Sequence, residues 1–385
     1  MECYLDNSAT TKVLPGAVEI MNKIYTEDYG NPSSLHNKGF DAEKYLRTAF
    51  ETFSGILKCK EKNLIFTSGG TESNNTALIG TAIAKKGRGK HIITTGIEHP
   101  AVSRVCDFLK KEGFEITVLS VDKEGLIDLA ELEAALRSDT ILVSVMHVNN
   151  EIGALEPIKE IGRLIKQKAP DALFHVDDIQ GFGKLRLIPS ECGIDMLSAS
   201  SHKIHGPKGV GLLYTSDRVH ISPLIFGGGQ MHNMRSGTEN VPGIAGFSFA
   251  AKEIYKDIES HSERLYSLRE DFINRITALK EIHVNGSLDR TKAAPHIISV
   301  STEGVRSEVL LHALEEKGIY VSAGSACSSN HKSISPTLSA IGVPKWALES
   351  TVRFSLSVFT TKEELDTAAD ALSELVPQLA RYSRR

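Results

Sequence analysis

The chain has 385 residues, 41% of them hydrophobic and 24% charged, with a formal net charge of −4. That is the balance of a soluble globular protein long enough for two domains, and its slight acidity argues against nucleic acid or an anionic membrane as the main partner. No apolar run reaches the about 18 residues of a spanning helix, and five scattered cysteines (Cys3, Cys59, Cys106, Cys192 and Cys327) form no CxxC pair, which fits a reducing compartment and argues against a disulfide or zinc framework.

The opening stretch MECYLDNSATT has neither the basic start nor the apolar centre of a signal peptide, so a cytoplasmic protein is expected. Residues 1–12 are expected to join a small domain or the site. From Asn63 to Tyr214 short β-rich runs alternate with helical ones. NLIFT, HIITT, EITVL, ILVSVM, LFHVD, DMLSA and VGLLY read as strands. They lack clean polar alternation, as strands covered on both faces do. TALIGTAIAKK and PAVSRVCDFLKKEG read as helices between them. The pattern predicts an α/β domain over 13–257, with a mostly parallel seven-stranded sheet flanked by helices. Beyond VPGIAGFSFAAKEIYKDIE the character changes. A long amphipathic helix, HSERLYSLREDFINRITALKE, leads to strands HIISV and VRFSLS. The last helix opens at a capping box made by Thr361 and Glu364. A smaller α+β domain is expected over 258–385.

Ligands of open α/β sheets bind beyond the carboxyl ends of the strands, so the loops there carry the functional reading. After NLIF comes TSGGTESNN, where Gly69 and Gly70 allow close backbone approach and Thr71 is placed to cap the next helix. Such a helix N-terminus with a hydroxyl can hold phosphate, or can be a plain turn and cap. The spacing is not that of a P-loop. After HIITT, His99 precedes a helix starting at Pro100, either as a structural or as a functional histidine. After VSVM stand Asn149 and Asn150, residues that also form turns. Asp177 ends a strand that should be buried, where a carboxylate needs a cationic partner. The next strand ends at SASSHKIHGPKG and Lys203, which is a solvated loop lysine or an amine that forms a Schiff base. Pyridoxal 5'-phosphate uses all these parts: an amine for its aldehyde, a carboxylate beside its pyridine nitrogen, a phosphate cup and a partner for its ring hydroxyl.

The stretches YLDNSATT, NPSSLH, TSGGTESNN, EHPAV, VNNEIG, HVDDIQ, SSHKIHGPKGVG, RSGTEN, GSACSS and VRFSLS run in order from Tyr4 to Ser357. In them the sequence resembles the cysteine desulfurases of the NifS/IscS kind, class-V aminotransferase-like enzymes of fold-type I. The resemblance implies a fold-type I pyridoxal phosphate transferase that removes sulfur from L-cysteine, leaves L-alanine and holds the sulfur as a persulfide. It implies that Lys203 binds the cofactor aldehyde and Asp177 keeps the pyridine nitrogen protonated. Gln180 and Asn150 would contact the ring hydroxyl, and His99 would stack on the ring and move protons. Gly70, Thr71, Ser200, Ser201 and His202 would surround the phosphate. Thr238 would reach the phosphate of the other subunit of a homodimer. Arg353, Asn150 and Asn31 would hold the substrate carboxylate, and Cys327 would accept sulfur from a polar loop and pass it to a protein acceptor such as an iron–sulfur scaffold. No metal is expected.

Two departures from the family pattern stand out. Asp178 occupies a position where the family usually has alanine, and Met231, His232 and Asn233 replace the usual glutamate, arginine and glycine. Side chains alternate along a strand, so Asp178 is expected to point away from the cofactor and to be answered by a lysine, an arginine or backbone N–H groups, while Ile179 returns to the ring face. A selenocysteine lyase, another fold-type I enzyme and a sulfur-relay or scaffold-binding protein are the competing readings.

Overall fold

The structure is a computed structural model, and it describes residues 2–323 and 334–383. The first part of the chain runs β1 (Cys3–Tyr4), α1 (Pro15–Thr26), α2 (Asn37–Leu57), β2 (Leu64–Thr67), α3 (Gly70–Lys85), β3 (His91–Thr95), α4 (Pro100–Lys111), β4 (Glu115–Leu119), α5 (Leu129–Ala135), β5 (Thr140–Met146), α6 (Ile158–Lys168), β6 (Leu173–Asp177), β7 (Met196–Ser200) and β8 (Gly211–Thr215). The seven runs read as strands in the sequence are β2 to β8, and they form one seven-stranded sheet in the order β2-β8-β7-β6-β5-β3-β4. All pairings are parallel except those of β8, which is antiparallel to both its neighbours.

Helices on both faces explain why these strands do not alternate. Every residue of β2, β3, β5, β6 and β7 is buried. The edge strand β4 is less covered, and there Glu115 and Val118 are exposed. A helix such as α6 contributes one apolar stripe, Ile158, Ile161 and Ile165, to the core, and its lysines face water.

The rest of the chain runs α7 (Val241–Tyr255), α8 (Ile258–Ile276), β9 (Ile282–Asn285), β10 (Ile297–Thr302), α9 (Ser307–Glu315), β11 (Ile319–Tyr320), β12 (Ser322–Ala323), α10 (Pro336–Ala340), α11 (Lys345–Leu348), β13 (Thr351–Ser355) and α12 (Lys362–Ser383). An antiparallel sheet, β12-β13-β10-β9, packs with α8 and α12 around a second core that holds Phe272, Val300, Phe354 and Leu372. The capping box at α12 is present: Glu364 N–H donates to Thr361 Oγ1 (3.2 Å) and Thr361 N–H to Glu364 Oε2 (2.7 Å). The N-terminal strand β1 pairs in parallel with β11, which buries Cys3 and Leu5 in the second core. Among the described residues no helix is long and apolar enough to cross a membrane.

Candidate active site

Strands β2, β3, β5, β6 and β7 run in one direction, so the loops that follow them gather at one edge of the sheet. The register sets Met146 of β5 beside Asp177 of β6, and Asp177 beside Ser198 of β7. Lys203 lies in a single 3-10 turn, Ser201–Lys203, directly after β7. Its ammonium donates to the carbonyl of Ser8 and to that of Ala9 (2.8 Å). Gln180 Nε2 donates to the same Ser8 carbonyl (3.1 Å). Thr11 fastens this N-terminal segment to the lysine loop, because its N–H and hydroxyl both reach the His202 carbonyl (2.9 and 3.0 Å).

Asp177 is buried and accepts two hydrogen bonds, from Asn74 Nδ2 to Oδ2 (2.7 Å) and from Ile179 N–H to Oδ1 (3.1 Å). Burial still holds its carboxyl above the usual range, although the Ile179 N–H, His99, Asn74 and Lys203 all pull the other way. A cation set against this carboxylate would offset that burial cost. Asn74 was not picked out in the sequence, nor was Glu98. The Glu98 carboxyl accepts from Thr95 Oγ1 (2.9 Å) and Met146 N–H (2.8 Å), and burial followed by the Asp177 charge pushes it well above the usual range.

His99 is the N-cap of α4, and its Nδ1 accepts the Ala101 N–H (3.1 Å). A ring whose Nδ1 accepts carries its proton on Nε2 when neutral. Burial lowers its pKa, and the Lys203 charge adds to that against Asp177. His99, Asn150, Asp177, Gln180, Ser200 and Lys203 line one cavity of about 200 Å³. Gly70 and Thr71 close one end of it. A Cβ on Gly70 would fall 2.1 Å from Ile179 Cδ1, so only glycine lets that side chain reach the cavity wall. At this end the cavity meets a second, more polar one of about 450 Å³, lined by Ser68, Gly69, Thr71, Ser200, His202 and Lys208. Burial and the charges of Lys203 and Lys208 lower His202 to about 4. The expected cap is corrected here: Gly69 is the N-cap of α3 with no side-chain bond, and Thr71 sits inside the first turn. The backbone N–H groups of that turn therefore remain for an anion.

Arg353, on β13, comes from the other sheet and is 6% exposed. Its Nη1 donates to the Asn150 carbonyl (2.6 Å) and its Nη2 to Asp6 Oδ1 (3.0 Å), while Nε is buried without a partner among the described residues. Asp6 is a second residue the sequence reading missed. Asn31 lies on an exposed turn, where its Oδ1 accepts the Ser33 N–H (2.9 Å), and it lines neither cavity. Thr238 is exposed and lines a separate depression with Arg235 and Asn240. Cys327 lies outside the described residues. Asp178 does not line the cavity, whereas Ile179 does. The partner of Asp178 is His147, at 2.6 Å, and not the lysine, arginine or backbone donors expected from the sequence. An imidazole reaches it because β5 and β6 are neighbours, a placement that lies in sheet order and not in local spacing.

The family model for class-V aminotransferases matches residues 3–367. The chain belongs to that family. As a class-V aminotransferase it is 43% identical to the cysteine desulfurase IscS of Dictyoglomus turgidum over 99% of this chain and 96% of that one. It is 41% identical to the cysteine desulfurase IscS of Methanosarcina thermophila over 99% of this chain and 93% of that one. Among solved structures, a NifS-like protein superposes with a TM-score of 0.93 at 36% identity, over 98% of this chain and all of the other. A structure titled SspA in complex with cysteine gives a TM-score of 0.82 at 32% identity, over 94% of this chain and 100% of that one.

Class-V aminotransferases are pyridoxal phosphate enzymes, and the residues of this one fit that group. A lysine amine and a buried carboxylate line the same cavity. Hydroxyls, a lysine and a helix N-terminus line the adjoining polar one, as a dianion requires. The Ser201 hydroxyl, expected at the phosphate, lines neither cavity; it is buried and has no hydrogen-bond partner among the described residues.

Proposed function

We propose that this class-V aminotransferase is an L-cysteine desulfurase that forms L-alanine and holds the sulfur as a persulfide on Cys327. The observation that carries the reading is a cavity lined by both Lys203 and Asp177, with the Arg353 guanidinium anchored on the Asn150 carbonyl at its margin. The names of the relatives and the cysteine complex support cysteine as the substrate. The sulfur would pass to a protein acceptor serving iron–sulfur assembly or another thio-cofactor or tRNA pathway.

Bound in the cavity, pyridoxal phosphate supplies an aldehyde that condenses with amines and a ring that spreads carbanion charge. Lys203 presents the anchoring amine and stays in the cavity as a base for the substrate α-proton. Asp177 would hold a proton at the ring nitrogen, and Asn74 and the Ile179 N–H keep its oxygens in place. Gln180 and Asn150, which line the cavity, would contact the ring hydroxyl. The Nε2–H of His99 is the proton donor or relay on the cavity wall. Gly70, Thr71, Ser200 and His202 would surround the phosphate. Arg353, with Asn150, would hold the substrate carboxylate. Cys327 bonds to the substrate sulfur as the carbon–sulfur bond breaks, and the electron pair left on carbon takes protons to give alanine. Residues 13–257 form the cofactor-binding unit, and 258–385 carry the cysteine loop. The working unit is a homodimer in which Thr238 completes the partner's phosphate site.

One experiment tests this reading. Purified protein is incubated with L-cysteine and a reductant, and sulfide, alanine and the persulfidated peptide are measured. Equal sulfide and alanine with persulfide at Cys327 are expected, and borohydride should fix the cofactor at Lys203. A Cys327→Ala variant should keep the cofactor and release little sulfide. Full activity without Cys327 would move the reading to a selenocysteine lyase, and no alanine at all would end it.

A further inference from the structure

We propose that Lys184 is a positioning residue for Lys203: its buried ammonium fixes the main chain of the lysine turn, and its charge works against a second ammonium at Lys203. The proposal rests on the reading of Lys203 as the cofactor lysine.

Lys184 follows the turn that leaves β6 and is 4% exposed. Its Nζ donates to the Lys203 carbonyl at 2.9 Å. The two loops touch directly. Gly183 has φ 73°, and a Cβ there would fall 2.5 Å from Ile204 Cγ2. The Gly183 N–H also donates to the Tyr255 hydroxyl (3.1 Å), so the turn that carries Lys184 is tied to α7. Lys203 is therefore held at two points, its side chain by the Ser8 and Ala9 carbonyls and its backbone by Lys184.

A buried lysine is costly, and most are exposed. Burial first, and the charge of Lys203 second, bring Lys184 down to about 8. The repulsion is mutual, so whatever Lys203 does to Lys184 returns to Lys203. Among the described residues, the titratable groups facing the pair include Asp6, His99, Asp177, His202, His205 and His296. Burial holds the four histidines toward their neutral forms. The two carboxylates interact favourably with a Lys203 cation and so favour the ammonium. Lys184 opposes them. A neighbouring cation is an established way to make a lysine amine nucleophilic at neutral pH. A loop lysine that merely filled space would have no reason to place its charge under the carbonyl of the reactive one.

Lys184→Met and Lys184→Arg are prepared in the full chain with the cofactor bound. The pH midpoint of the holoenzyme's visible absorbance is read for each. Loss of a nearby cation favours protonation, so the midpoint should rise by about one unit in Lys184→Met, a tenfold change in proton affinity. Lys184→Arg should restore the wild-type midpoint. An unshifted midpoint in folded Lys184→Met overturns the proposal. If that variant does not fold, Lys184→Gln keeps a donor for the carbonyl without the charge, and the same rise or its absence decides. Borohydride labelling of a lysine other than Lys203 would overturn the cofactor-lysine reading instead, so the two failures are distinguishable.

Discussion

His147 Nδ1 and Asp178 Oδ1 lie 2.6 Å apart in a hydrogen bond whose side chains are 7% and 1% exposed. The second carboxylate of the Asp177–Asp178 pair thus answers to an imidazole outside the cofactor cavity. Burial raises the Asp178 pKa, and His147 draws it back down. Asp178→Ala leaves the His147 nitrogen without this partner and should cost roughly 1–3 kcal/mol of stability by urea unfolding. The visible absorbance should be unchanged and turnover altered less than about tenfold, or ~1.4 kcal/mol in barrier. Loss of the cofactor from this variant would show instead that Asp178 acts on the ring.

Asn74 is a positioning residue for Asp177. Its amide supplies one of the two hydrogen bonds that hold the Asp177 carboxylate. Asn74→Ala removes a hydrogen bond to a charged group, worth about 2 kcal/mol. Turnover should fall about thirtyfold, and the cofactor should dissociate faster in a gel-filtration chase. Wild-type turnover in this variant would mean that the Ile179 N–H alone is enough.

How far the sequence could be read follows from where each partner lies. The seven strands of the large sheet are legible because each is a short apolar run bounded by turns. Asp177 is legible because it ends a strand, and Lys203 and His99 because each lies in the loop that follows one. Asn74 lies in the first turns of α3, and nothing local says that its amide spans to β6. Asp6 and Arg353 meet only because β13 lies beside the N-terminal segment, where Asp6 bridges to Ser355. The strands β1, β11 and β12 have two residues each, too few for any periodic signal. The cap at Thr71 was misplaced because Gly69 ends the turn without a side chain, so the helix starts sooner than a hydroxyl cap would suggest.

His99 has two tasks that one substitution can separate. Its Nδ1 caps α4, and in the proposed reading its Nε2–H relays protons in the cavity that His99 lines. Asparagine is a good N-cap, so His99→Asn should unfold within about 1 kcal/mol of wild type. It has no group that titrates near neutrality, so kcat should fall by about 10²-fold or more. Stability is read by thermal unfolding and kcat by alanine formation. Retained kcat would move proton transfer wholly to Lys203.

Arg353 should govern substrate binding more than turnover. In Arg353→Met the Asn150 carbonyl and the Asp6 carboxylate lose their shared donor. Burial already raises Asp6, with Arg353 as the main opposing charge, so this carboxyl should then take up a proton more readily. KM for L-cysteine should rise by about thirtyfold, the equivalent of ~2 kcal/mol, with a smaller change in kcat. Arg353→Lys should not rescue it, because a single ammonium cannot hold two acceptors and a substrate carboxylate in one plane. An unchanged KM would remove Arg353 from the substrate site.

Glu151 and Glu156 should make the fold less stable as pH rises. Burial pushes Glu151 up to about 6 and Glu156 up to about 8, against 4.5 for an ordinary glutamate. Between those values the folded chain keeps protons that the unfolded chain has released. The stabilising contribution is therefore full below about pH 4.5 and is lost as pH climbs, through about 6 for Glu151 and about 8 for Glu156. Between pH 5 and pH 8 the loss from Glu156 alone is ~3 kcal/mol. Among the described residues Glu156 Oε2 accepts only the Ile127 N–H, at 3.3 Å, and Oε1 is buried without a partner. Glu156→Gln keeps an acceptor for Ile127 and abolishes the titration. In urea unfolding the variant should match wild type near pH 5 and exceed it increasingly toward pH 8. Parallel curves across that range would mean that Glu156 is already ionised in the folded chain, and the burial argument would fail.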